Sequence, residues 1–274
     1  MAKRKKPAKL PKFILTGLIA IAGLLLYTGK TVNPHTTTPT APTSQSASGP
    51  TTNAPSAGNG QSSDAAAGQN NQDQANGANT ADLANLNYTN RQIIAVNNNE
   101  PTFSQGDLSL AQGAWQRYSD LDGLNRAGVA DAMLSKALMP TAKRERLYVQ
   151  PTGYHNKRIT IGTHQDWLYN RCHLIGFQLT GQNNNLKNLV TGTRSLNDPA
   201  MTYYENQIAS YIKSTNHHVR YQVRPVFRGS ELVARGIQMQ GRSIEDNKID
   251  FNIYIFNVQT GYQINYQDGT SQAG

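Results

Sequence analysis

Arg171 and His173 stand two positions apart in Asn170-Arg171-Cys172-His173-Leu174-Ile175-Gly176, a run that reads as a strand leading into a turn. Strand alternation puts both side chains on one face. A neutral imidazole accepts a proton from water near pH 7, and a guanidinium beside it holds a phosphate. A single histidine in a strand more often has a structural hydrogen-bonding role, so the pair gains meaning only from the residues downstream of it. The segment Asn188 to Asn197 ends at a helix cap, and Glu205 lies eight residues further on, inside that helix. Strand, loop and helix can therefore bring His173, Asn197 and Glu205 together. An amide oxygen ligates a hard cation such as magnesium, which keeps several of its waters, and a nearby carboxylate hydrogen-bonds those waters.

The elements that must position these groups are legible in outline. Pro199 to Ser214 is predicted as a helix, with Asn197 or Asp198 as cap, Pro199 in the first turn, and Met201, Tyr204, Ile208 and Ile212 at helical spacing. Arg126 to Leu138 has apolar residues at the same spacing and strong helix formers, which predicts a second helix. Val219 to Phe227, Leu232 to Gln240 and Phe251 to Val258 alternate as strands do. The expectation is an α+β domain whose last third is largely antiparallel sheet.

Upstream the composition changes twice. Residues 1–12 carry Lys3, Arg4, Lys5, Lys6, Lys9 and Lys12, and the run 13–29 is apolar and without charge. Residues 1–30 thus read as a basic flank and transmembrane signal anchor. No small-x-small cleavage site follows the apolar run, so a single pass is expected, with the domain outside the cell; cleavage there would instead secrete it. Residues 31–85 are rich in Thr, Ser, Pro, Ala, Asn, Gly and Gln, too poor in large apolar groups to offset ordering entropy, and are expected to be a disordered linker. Residues 86–274 are long enough for one core.

Net charge is a weak guide. Seven of the 26 basic residues lie in the first 30 positions and none between 31 and 85, which leaves 19 basic against 14 acidic residues in 86–274. That is mildly basic, suitable for a polyanion without specifying one. The single cysteine, Cys172, excludes an intramolecular disulfide and a cysteine-based zinc cluster, and reads as a small buried residue.

The D/N-R-x-H signature at Asn170 to His173, the asparagine pair Asn188 and Asn197, and Glu205 together resemble the DNA/RNA non-specific endonucleases of the ββα-metal (His-Me finger) type. The similarity is greatest to membrane-attached DNA-entry nucleases and streptococcal secreted DNases. Gln238-Met239, Asp250-Phe251-Asn252 and Asn257-Val258-Gln259 also look like these nucleases, so the resemblance covers roughly residues 86–268. It implies a central antiparallel sheet flanked by helices, and a magnesium site at which manganese can substitute. By the same resemblance His173 is the general base and Asn197 the sole direct protein ligand of the metal. Asn188 orients the site through the histidine segment or a metal-bound water, Glu205 is the carboxylate behind the metal's waters, and Arg171 favours the phosphate. The implied reaction is hydrolysis of DNA and RNA to 5′-phosphate ends, with no protein partner required.

Asn170 stands where the family more often has aspartate, and Cys172 where it has glycine. A second phosphate-binding cation is expected before the motif, and Lys143, Arg144, Arg146, Lys157 and Arg158 are its candidates. His217 and His218 are adjacent, so a strand would point them to opposite faces, which argues for surface histidines over a metal pair. His155 and His164 lie near the motif in sequence, and Tyr203 and Tyr204 are candidates for base stacking or for the core. Two rival readings use the same residues: a nucleic-acid receptor built on a degenerate nuclease fold, and a surface adhesin in which the linker is the meaningful feature.

Overall fold

The computed structural model describes residues 80–274. The anchor expected over residues 1–30, its apolar run 13–29 and nearly all of the linker expected over 31–85 lie outside the described residues. Among the described residues no helix is long and apolar enough to cross a membrane.

Val219, Tyr221 and Val223, then Ile237 and Met239, then Phe251, Ile253 and Ile255 each alternate along the chain, so each trio or pair sends its side chains to one face. They occupy neighbouring strands of a six-stranded antiparallel sheet. Its members are β1 (Ile93–Ala95), β2 (Trp115–Tyr118), β3 (Ala130–Leu134), β8 (Val219–Val226), β9 (Gly236–Ser243) and β10 (Asp250–Phe256). Across the sheet their order is β1-β10-β9-β8-β3-β2. Val223 lies opposite Met239, and Met239 opposite Ile253, so the apolar row is continuous across three strands. It packs against Ile208, Ala209 and Ile212 of a helix at Thr202–Thr215, and against Cys172, Leu174, Ile175 and Val190.

The opposite face is covered by the chain's earlier residues. The Arg220 guanidinium pairs with Asp131 and stacks between the rings of Phe103 and Trp115, at 4.7 and 4.9 Å. Further along, Val226, Tyr254 and Phe256 pack with Leu83, Leu86 and Ile94. Leu83 belongs to a short helix, α1 (Thr80–Asn85), so folded structure begins inside the segment that composition assigns to the linker. Leu83 and Leu86 supply the large apolar groups that the preceding stretch lacks.

Three expectations of secondary structure are corrected. Arg126–Leu138 is not a helix: it contains β3 and then a 3-10 turn at Lys136–Leu138, started by the Ser135 side chain accepting from the Ala137 N–H. Pairing with β2 on one side and β8 on the other, with Ala130, Ala132 and Leu134 buried, outweighs helix propensities of a few tenths of a kcal/mol per residue. The strand expected at Leu232–Gln240 is shifted to Gly236–Ser243, because the Leu232 and Val233 N–H groups turn to the Tyr266 carbonyl instead of the sheet. The helix expected from Pro199 begins at Thr202, after a π-helical turn at Leu196–Met201 in which Asp198 is extended (φ −146°, ψ 120°). A residue that precedes proline is driven out of helical geometry, which explains the break.

Outside the main sheet, β4 (Arg158–Ile161) pairs with β5 (His164–Trp167), β6 (Tyr169–His173) with β7 (Leu189–Thr193), and β11 (Tyr262–Ile264) with β12 (Ser271–Ala273). The loop between β6 and β7 carries α2 (Phe177–Thr180), closed by Gly181 in the left-handed region at φ 67°. The Thr202–Thr215 helix is α3, so the β6–β7 hairpin leads through the π-helical turn into a helix.

Candidate active site

β6 does not alternate as simply as the sequence implies: Cys172 and His173 are both buried, and Arg171 and His173 border different cavities. Cys172 turns into the core, where a side chain on its neighbour Gly192 would place Cβ 2.7 Å from the Cys172 Cβ. Burial raises the Cys172 thiol far above its usual range, which leaves it an inert packing group. His173 is also 6 % exposed, but its ring borders a cavity. Its Nε2 lies 3.0 Å from the Asn183 carbonyl oxygen. A carbonyl only accepts, so this contact assigns the ring proton to Nε2 and leaves Nδ1 with a free lone pair. Burial lowers the imidazole pKa and the nearby Arg144 cation lowers it further, so the ring is neutral near pH 7.

Asn188 is fully buried. Its Oδ1 accepts from the Ile175 N–H at 2.9 Å, its Nδ2 donates to the Ile175 carbonyl at 3.0 Å, and its own carbonyl accepts from the Leu174 N–H at 2.9 Å. The Asn188 side chain is thus bonded to the segment that follows His173.

Asn197 sits in the π-helical turn between β7 and α3. That turn is held from several sides. Arg194 pairs with Asp166 at 2.8 Å and with Asp198 at 3.0 Å. The Gln259 side chain accepts from the Ser195 N–H at 3.1 Å, and Thr193 Oγ1 donates to the Val258 carbonyl at 2.8 Å. Fully buried Asn257 accepts from the Thr193 N–H and donates to the Thr191 and Ala234 carbonyls, tying β7 to the main sheet. The Asn257-Val258-Gln259 run singled out in the sequence is thus the cradle of the turn that presents Asn197.

His173, Asn197 and Glu205 line one cavity of about 270 Å³, together with Gly176 and Arg144. Glu205 lies in the first turn of α3 and is buried; the Gly176 N–H donates to its carboxylate, and its Oε1 has no hydrogen-bond partner. Burial pushes its pKa up to about 8, against the opposing effects of that hydrogen bond and Arg144. Among the described residues no three of His, Cys, Asp and Glu gather to hold a metal ion. The groups present still suit a hard divalent ion: a carboxamide oxygen at Asn197, and behind it a buried carboxylate oxygen in want of a donor, such as a metal-bound water.

A second cleft of about 520 Å³ meets the first at Arg144 and Asn197, which line both. It adds Arg146, Arg171, Tyr154, Trp167 and Asn170. Arg171 stacks on Tyr154 at 4.6 Å, with Nε on the Val149 carbonyl at 2.7 Å, so its cation borders this cleft and not the smaller cavity beside His173.

The candidates for a second phosphate cation now separate. Arg144 adjoins both cavities and Arg146 the larger one. Lys157 lines neither cavity: its ammonium donates to the Ser271 carbonyl at 2.7 Å and lies over Tyr262, holding the C-terminal strand. Arg158 stacks on Trp167 at 4.4 Å, and neither it nor Lys143 lines either cavity. His155 and His164 are exposed and line neither cavity. Tyr204 packs on Phe251 in the core, with Tyr203 outside it. His217 contacts Tyr211 and His218 contacts Glu245, so they do not form a metal pair. Sequence reasoning misses Tyr154 and Trp167, and Asn183, whose backbone carbonyl orients the imidazole.

The family model for DNA/RNA non-specific endonuclease matches residues 108–245, a span that includes β6, β7 and α3. The chain belongs to this family. A deoxyribonuclease from Streptococcus dysgalactiae subsp. equisimilis is 33% identical over 107 residues, 37% of this chain and 32% of that protein. The chain thus spans about a third of the length of this curated relative. The crystal structure of NucA from Streptococcus agalactiae with magnesium bound has a similar fold, with TM-score 0.59 and 23% identity over 66% of this chain and 88% of that one. The Sda1 nuclease with bound zinc has TM-score 0.54 and 27% identity over 58% of this chain and 82% of that one.

Proposed function

We propose that the chain is a divalent-metal-dependent endonuclease that hydrolyses phosphodiester bonds of DNA and RNA, with magnesium as the working ion and the β6–β7–α3 unit as its ββα-metal centre. The observation that carries this reading is the convergence of a neutral, oriented His173, the Asn197 carboxamide and the buried Glu205 on one cavity. His173 Nδ1 takes the proton from the attacking water, with Nε2 held on the Asn183 carbonyl throughout. Asn197 would hold the metal, and Glu205 would hold water on it. When bound, the ion supplies positive charge at the phosphate oxygen and the leaving 3′ oxygen. Arg144 adds a cation where the two cavities meet. External water is the nucleophile, so no 2′-hydroxyl is needed and both DNA and RNA are substrates, with 5′-phosphate products.

The basic flank and apolar run within residues 1–30, followed by the linker, support display of this domain on the outer face of the cell membrane. The direct test is the full-length chain on plasmid DNA and on RNA, with magnesium and with chelator. Cleavage that requires the ion and is lost in His173→Ala is expected. Retention of DNA without products would identify a receptor, and intact substrate without binding would end the nucleic-acid reading. Protease applied to whole cells tests the topology: a domain resistant until the cells are lysed would overturn external display.

A further inference from the structure

Trp167 is 45 % exposed, although it ends β5 and lines the larger cleft. Arg158, its cross-strand partner, lies with its guanidinium 4.4 Å from the indole centroid. A cation stacked on one face of an indole restrains the ring and leaves the other face for a ligand, and here Trp167 lines the cleft while Arg158 does not. The adjoining residue, Asp166, pairs with Arg194, which in turn pairs with Asp198 beside Asn197. One chain of ion pairs therefore sets the indole in register with the reacting centre. The residues lining this cleft include Arg144, Arg146 and Arg171 and no carboxylate, which matches a phosphodiester strand.

We infer that this cleft is a subsite for one unpaired nucleotide flanking the scissile phosphate, with its base stacked on Trp167 and its phosphate met by Arg146 and Arg171. The inference rests on the nuclease reading and deepens it by naming the form of substrate. A base inside a duplex has both faces covered by its neighbours, so only a single strand, a frayed end or a loop offers a face to the indole. The cleft, at about 520 Å³, is of the size that takes one small ligand. The consequence is discrimination: single strands are engaged more tightly than duplexes, whatever their sequence, because every base has a stacking face.

Two measurements on the full-length chain test this. The first compares kcat/KM on a single-stranded oligonucleotide and on its duplex, with magnesium. Trp167→Ala should lower the single-strand to duplex ratio about tenfold, chiefly through KM, and Trp167→Phe should restore most of it. An unchanged ratio in Trp167→Ala, or an equal loss on both substrates, overturns the subsite. The second is independent of cleavage. In chelator, a short oligothymidylate should quench the tryptophan fluorescence of the parent chain, and Trp167→Phe, which retains Trp115, should lose that quench. A quench that survives in Trp167→Phe, or is absent in the parent, places the strand elsewhere. A chain that shows the Trp167-dependent quench but cuts neither substrate retains the subsite and refutes the nuclease reading alone.

Discussion

The Glu205 carboxylate rests directly on the α-carbon of Gly176: a Cβ at that position would lie 2.5 Å from Oε2 and 2.8 Å from Oε1. Backbone and acid approach each other only because the loop leaving β6 has no side chain there. Gly176→Ala is therefore expected to push the carboxylate out of place. Activity at saturating magnesium should fall roughly ten- to hundredfold, with a stability cost of about 1–3 kcal/mol from overpacking. Steady-state rates and thermal unfolding of the same preparation check both; full activity in Gly176→Ala would show that the Glu205 position is immaterial.

Glu205 should cost the metal-free chain stability in alkali. The buried carboxyl keeps its proton up to about pH 8, while the unfolded chain releases it near 4.5. The contribution of this group is thus fully present below pH 4.5 and is lost as pH rises through about 8. Glu205→Gln should raise metal-free stability at pH 8 by roughly 2–5 kcal/mol and remove that slope, while sharply reducing cleavage. Denaturant titrations at pH 5 and pH 8 in chelator would detect it.

The two asparagines nine positions apart should fail for different reasons. Asn188→Ala strands the buried Ile175 N–H and carbonyl and should destabilise the chain by about 2–4 kcal/mol. Asn197→Ala removes a half-buried cavity group and should leave the melting temperature within a few degrees of the parent but abolish magnesium-dependent cleavage. Calorimetric magnesium titration together with thermal melts separates them. Equal melting losses in both would contradict the assignment.

His173 should work as a base at lower pH than an ordinary histidine. Burial depresses its pKa below the usual 6.5, so kcat/KM should rise with pH along an acid limb whose midpoint lies below that of an ordinary histidine. His173→Ala should lose about 10²–10⁴-fold and, with the base gone, that acid limb as well. Rate profiles from pH 5 to 9 test this; an acid limb retained in His173→Ala would assign it to another group.

The candidate site residues are legible in the sequence because they lie on one local unit. His173, Asn188, Asn197 and Glu205 are joined by a hairpin and a helix, so spacing along the chain carries their geometry. Strands β8 and β10 are legible for a similar reason, since alternation survives where one face is buried. Arg126–Leu138 misleads because its neighbours β2 and β8 decide its state, and β8 lies some ninety residues further on. Arg144 does not stand out among nearby cations because its strap has no regular structure. Its place depends on the Asn184 side chain, which holds the Arg146 carbonyl and the Tyr148 N–H. Trp167 gives no signal because His164–Trp167 is short and polar and takes its position from Arg158 across the hairpin.

The turn that presents Asn197 is held by Asn257, Val258 and Gln259, about sixty residues later in the chain. During synthesis, His173, Asn197 and Glu205 all emerge before the residues that hold the Asn197 turn. A ribosome-bound chain that ends before Asn257 therefore contains all three residues while the turn carrying Asn197 still lacks the contacts that hold it, so the two halves of the candidate site are fixed at different stages of synthesis.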